Sequence, residues 1–323
     1  MTTQASTAEF DAFGPWIDEV RSPYEVPRLF TLHPIDFATT RLVLKVPRNI
    51  SRRDANPTMD LYDHLIIAGE HELTLLSRDG TMMRSTTMAY DRIAAISDAV
   101  ALLDAELTIV GSDGHTVRFA YNGSGNGAIV RLIELLRALV NPGAITMGPD
   151  SSNPDGAGPA STGPASTGPA IAPPRSPYAS SGPGIDDLGR GDSVLVTWFR
   201  DLERMDASLD FRAGHGSAPV TPRSGTVTDW LRPSAVSGVL VAASPSELQV
   251  ISRRAPIVRR SAVDHSRRRT IVFRGGIHSS HSAPHSHFAG LAVVALQVGS
   301  TGVEFTTLQG SEVERELLAL GRS

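Results

Sequence analysis

The sequence predicts a mainly β chain with capping helices, an α+β arrangement of two small sandwich or barrel domains, each closed by a C-terminal amphipathic helix. Three observations predict it: short alternating apolar runs separated by turn residues, a helical-period stretch after each series of runs, and related sequence blocks in both halves.

Taken in order, residues 1–41 read as an N-terminal extension. Met1–Phe13 is polar and acidic and shows neither the basic nor the apolar region of a secretory signal. The first domain is predicted over residues 42–142. Its strands are Leu42–Val46, Leu65–Ile67, Leu73–Ser77, Leu107–Val110 and Val117–Tyr121, with Asp79-Gly80 and Asp113-Gly114 as hairpin signals. Ala128–Val140 instead puts Ile129, Leu132, Ile133, Leu135, Leu136 and Leu139 on one helical stripe, which Asn141-Pro142 ends.

From residue 143 to 190 periodicity gives way to Gly, Pro, Ala, Ser and Thr, including the pentapeptide Gly158–Thr162 repeated at Gly163–Thr167. Too little apolar surface is present to offset ordering entropy, so a disordered linker is expected here. A coil of this length reaches on the order of 40 Å, enough for two bodies to move independently.

The second domain is predicted over residues 191–323 by four blocks in matching order. Leu42–Ala55 aligns to Val194–Ala207, Leu65–Arg78 to Leu240–Arg253, Leu107–Phe119 to Leu296–Phe305, and Glu134–Leu139 to Glu316–Leu320. The first match includes Arg48/Arg200, Arg52/Arg204 and Asp54/Asp206. The offset grows from 152 to 175 to 189, which implies insertions of 175 − 152 = 23 and 189 − 175 = 14 residues in the second copy. They are expected around Phe211–Pro233 and Arg259–Ala289.

The strand order, the block Leu103–Tyr121 and the terminal helix resemble the bacterial pleckstrin-homology-like domain, over most of 42–140 and again over 192–321. That resemblance implies a fold that binds lipid headgroups, peptides or partner proteins and is not catalytic. The basic hairpin with which the family holds lipid has no counterpart in the first copy.

Composition narrows function further. The chain has no cysteine, which excludes disulfides, thiolate metal sites and cysteine nucleophiles and agrees with a cytoplasmic location. Its longest apolar run, near Leu291–Leu296, is far short of the ~18 residues of a membrane span. Net charge is −4, yet from Asp192 onward fifteen Arg oppose twelve Asp and Glu, leaving +3 there and −7 elsewhere.

That basic excess concentrates in Arg253, Arg254, Arg259, Arg260, Arg267, Arg268, Arg269 and Arg274, with only Asp264 interspersed. Guanidinium forks suit phosphate, so an anionic membrane surface is one candidate partner; the alternative is a solvated hairpin that protects a sheet edge. Nucleic acid is the weaker candidate, because no aromatic is interleaved for base stacking. His278, His281, His285 and His287 form a second cluster, read either as a labile metal site or as a solvated surface loop within the second insertion. Gly123–Gly127 reads as a turn into the helix, since no strand follows for a dinucleotide fold. No Ser/His/Asp ordering, HExxH or P-loop is present. The expected protein is a non-enzymatic, cofactor-free binding or scaffolding protein whose principal partner is another protein.

Overall fold

A computed structural model describes residues 7–142, 185–223, 234–259 and 265–322. Helix α1 (Ala8–Ala12) is capped by Thr7, whose hydroxyl accepts from the Phe10 amide. Strands β1 (Asp18–Glu19), β2 (Leu42–Pro47), β3 (Tyr62–Ala68), β4 (Glu72–Asp79) and β5 (Met82–Ala89) follow and pair antiparallel in chain order. This sheet is apolar on both faces. Leu44, Ile66, Leu73 and Leu75 enter one core, while Val43, Leu65, Ile67 and Leu76 enter another that Phe13, Val20 and Phe30 complete. The N-terminal segment is therefore the cover of this sheet, which explains why β3 reads as a continuous hydrophobic run.

Strands β6 (Ile93–Ala101), β7 (Asp104–Gly111) and β8 (Thr116–Asn122) lead into α2 (Asn126–Val140), which buries Ile129, Leu132, Ile133 and Leu136. The second half opens on α3 (Ile185–Met205) and continues through β9 (Asp210–His215), β10 (Ala218–Pro222), β11 (Ser234–Val236), β12 (Val239–Ala243), β13 (Glu247–Ser252) and β14 (Ile257–Arg259). It ends with β15 (Arg267–Phe273), β16 (Ile277–Pro284), β17 (Phe288–Ala289), β18 (Leu291–Val298), β19 (Thr301–Leu308) and α4 (Glu312–Ala319). Three more sheets result, none closed: β14-β11-β10-β17, β16-β18-β19, and a seven-stranded sheet in the order β8-β7-β6-β15-β13-β12-β9.

The seven-stranded sheet crosses from one half to the other. β6 and β15 pair antiparallel from Arg267 opposite Val100 to Val272 opposite Ala95, and Ile271 and Phe273 complete the core beneath α2. Helix α2 lies across this seam. Arg137 donates to both oxygens of Glu247 on β13 (3.0 and 2.6 Å), to Asp206 (2.5 Å) and to Glu134. Arg269 on β15 donates to Gln249 (2.9 Å) and Glu134 (3.0 Å). Burial by itself would lower the Arg137 pKa, but the bonds and charge of Glu247, with Glu134 and Asp206, hold it above its ordinary value.

Several sequence expectations are corrected. Val194–Ala207 is not the counterpart of strand β2: most of it is helix, because Leu195, Phe199 and Leu202 recur at helical spacing and bury one face. Arg48 reaches the Asp60 carbonyl (3.1 Å) and Arg52 the Phe13 carbonyl, whereas Arg200 and Arg204 pair with Glu203 and Asp201 one helical turn away. The shared spacing thus serves two different environments. Helix α3 begins at Ile185, inside the expected linker; residues 143–184, the rest of that linker, lie outside the described residues. The expected insertions hold β9, β10, β15 and β16, all of them sheet strands. The two halves share a sheet rather than moving as separate bodies. The other blocks fall on like elements, with Leu65–Arg78 on β3 and β4 and Leu240–Arg253 reaching over β12 and β13.

Replacing Arg137 with Met strands the buried Glu247 carboxylate, and we expect chemical denaturation to show a loss of about 3–5 kcal/mol. The double variant R137M/E247M should recover most of it. Stability should also fall as pH drops below the unfolded histidine pKa of about 6.5. Burial lowers the pKa of both His64 and His215, so the unfolded chain takes up protons that the folded one refuses. His215 donates through Nδ1 to the Gly216 carbonyl (3.0 Å) and accepts at Nε2 from Thr307 (3.0 Å), an arrangement of the neutral ring. Denaturation midpoints at pH 7.5 and 5.5 should converge in H64Q/H215Q relative to the parent.

Candidate functional site

Three two-residue hairpins of the chain can be compared directly. Asp79 pairs with Met82 around Gly80, Val298 with Thr301 around Gly299, and Ala101 with Asp104 around Leu102. In each, the first turn residue takes a left-handed φ: +64° at Gly80, +60° at Gly299 and +57° at Leu102. Glycine is the rule at this position because it has no Cβ to clash; Leu102 is the only non-glycine residue with positive φ among the described residues. Such a conformation costs a side-chain-bearing residue about 1–2 kcal/mol.

The strain is accompanied by exposure of apolar surface. Leu102 is 76% exposed and Leu103 66%. The turn is held from two sides: the Gly123 amide donates to the Leu103 carbonyl (2.9 Å), and Arg254 reaches the Asp104 carboxylate (2.6 Å). Gly123 permits the first contact, since a Cβ there would lie 2.0 Å from the Leu102 carbonyl oxygen.

Beside the turn runs a groove of about 550 Å³ between β6 of the first half and α3 of the second. Leu102, Val100, Val194 and Trp198 give it apolar walls, and Arg267, Asp201 and His265 supply its polar groups. The Arg267 guanidinium lies over the Trp198 ring, 5.3 Å from its centroid, and makes no salt bridge among the described residues. Helix α3, which kinks at Asp192 (φ −155°), lines it with Val194 and Trp198; the Asp192 carboxylate accepts from Arg253 (2.5 Å). Under the groove, burial pushes the Asp98 carboxyl above its usual range, against the Tyr121 hydroxyl that donates to it (2.6 Å) and the charges of Arg267 and Arg269. Tyr121 faces a second, more polar cleft of about 340 Å³ with Arg48, Asp63 and His64. Arg78 pairs with Asp63 there (2.6 Å).

The arginine cluster does not form a single exposed basic face. Arg253 and Arg269 are buried and paired, Arg254 is bound to Asp104, and Arg274 donates to the Ser244 carbonyl (3.1 Å). Arg268 is half-buried, Arg267 stacks in the groove, Arg259 is exposed, and Arg260 lies outside the described residues. The histidines are not on a loop throughout: His278 and His281 belong to β16, paired with β18, while His285 and His287 follow it. No group of three metal-ligating side chains occurs among the described residues.

Leu102, Leu103, Val194, Trp198 and the stacking of Arg267 were not singled out by the sequence. A Leu-Leu pair between two β runs, where a hairpin needs a turn residue, was the available signal. No protein-family model matches the chain, and no curated protein matches it.

Replacing Leu102 with Gly should relieve the left-handed strain and stabilise the fold by up to about 1 kcal/mol. Urea denaturation of L102G against the parent measures it, and an unchanged or lower midpoint would mean that the turn stores no strain.

Proposed function

We propose that this chain is a non-catalytic scaffold of two pleckstrin-homology-like domains that holds a partner protein in the groove between β6 and α3. The observation that carries the reading is Leu102: a strained, solvent-facing leucine where its sister hairpins have glycine. An exposed apolar residue kept at a cost in stability points to a contact made with something else. The wall opposite it pairs Trp198 with the Arg267 guanidinium, which makes no salt bridge among the described residues; these are residue types on which interface energy concentrates. The partner segment should thus be apolar with an acidic residue placed to meet Arg267.

The element order agrees with the domain reading. In the first half β2–β5 are followed by β6–β8 and α2; in the second β9, β12, β13 and β15 are followed by β16, β18, β19 and α4. Engagement of the arginines with the chain's own groups weighs against a phospholipid surface as the main ligand.

A photoreactive amino acid at position 194 should capture a protein from the native lysate. The same capture in L102S/L103S and in R267E should fall at least tenfold, equivalent to about 1.4 kcal/mol. Capture that survives both variants would refute the groove, and sedimentation with anionic vesicles in place of protein capture would refute the partner class.

A further inference from the structure

The seam inside the chain joins two unlike edges: β6, the first strand of a three-strand series, and β15, the last strand of a four-strand series. Such a join is head-to-tail, so it leaves one edge of each kind unused. Those edges are β5, which ends the first sheet, and β16, which ends the sheet β16-β18-β19. We propose that a second copy of this chain docks here, β5 of one molecule pairing antiparallel with β16 of the next in the register of the internal seam. The proposal rests on reading the two halves as copies of one domain.

That reading fixes the register. Leu73 faces Met88 as Leu248 faces Val272, so counting along the strands puts Arg84 in the place of Arg268. Leu107 faces Asp98 as Leu296 faces Ser280, so His281 takes the place of Ala99. Arg268 is opposite Ala99 within the chain, and Arg84 is accordingly set opposite His281 between chains. Both side chains are exposed. A second similarity concerns the helices: α2 lies against the internal seam, and the Leu318 carbonyl of α4 accepts from Ser280 on β16 (2.8 Å).

Strand β16 is partly covered by the chain's own 3-10 turn Leu320–Arg322, where a Cβ on Gly321 would lie 2.2 Å from the Ser280 amide nitrogen, so an incoming strand must displace or skirt that turn. Natural edges carry lysines, inward charges or prolines, whereas β5 has Arg84 as its one internal charge and β16 has Pro284 at its last position. Their Ser, Thr and His side chains offer little apolar burial, so the contact between chains should be weaker than the internal seam, where Ile96 and Ile271 are buried. A head-to-tail contact closes into a ring of two or more copies or extends as a filament, according to the rotation between neighbours.

Sedimentation of the full-length chain across a concentration series should show reversible assembly beyond the monomer, and a monomer at every concentration overturns the proposal. Because the chain has no cysteine, R84C and H281C each introduce a single thiol. A short bis-maleimide should link a mixture of the two variants and neither variant alone; links within one variant, or between β5 and β16 only at another register, overturn it. H281E, which places a carboxylate opposite Arg84, should tighten assembly by up to about fivefold. The groove variant L102S/L103S should assemble like the parent, so that loss of the partner and loss of assembly are separate results.

Discussion

Arg137 is the point on which the arrangement of the two halves depends. It projects, beside Glu134, from the helix of one half into a cluster whose remaining members, Glu247, Asp206 and Arg269, come from the second. Both guanidinium groups and the Glu247 carboxylate are buried there, while Asp206 and Glu134 meet them from the rim. Such a cluster contributes little net stability, because desolvation offsets most of the attraction. Its effect is on choice of geometry. A slip of β15 against β6 by one residue would turn Arg269 away from Glu134 and carry Glu247 and Asp206 out of register with Arg137. Apolar contacts at the seam favour burial of any register; the charges accept one.

The groove is a consequence of that register. Once β6 is fixed beside β15, the turn at Leu102 comes up against α3, and Arg267 lies across Trp198. Arg253 and Arg254 secure the two walls, one through the Asp192 kink and the other through Asp104. The high arginine density of this stretch therefore has a structural account. Arginine is suited to the task, since its planar fork can satisfy two acceptors at once in a buried seam.

The strained leucine and the open edges are both departures from the local rules followed elsewhere in the chain. Gly80 and Gly299 supply the residue a left-handed turn asks for, and β6 and β15 hide each other's edges. Where the same chain omits those solutions, at Leu102, β5 and β16, the cost falls on the isolated molecule, which is why contacts with other molecules are proposed there.

Periodicity determined the mainly β character, the helix containing Ile129 and Leu132, and the strand around Leu73, because alternation and helical stripes are local properties of the chain; the match of Leu65–Arg78 to Leu240–Arg253 carried that strand to Leu248. Strands β5 and β6 were not recognised: Met82–Ala89 is a polar edge with little alternation, and Ile93–Ala101 is buried nearly throughout, which removes the alternation signal. The identities between Leu42–Ala55 and Val194–Ala207 misled for a related reason, since matched Arg and Asp residues carry no period. The pairing of β6 with β15, the paired state of the arginines and the groove belong to tertiary structure alone. Each depends on residues more than a hundred positions apart, such as Arg137 with Glu247, and no local pattern encodes which buried charge will meet which.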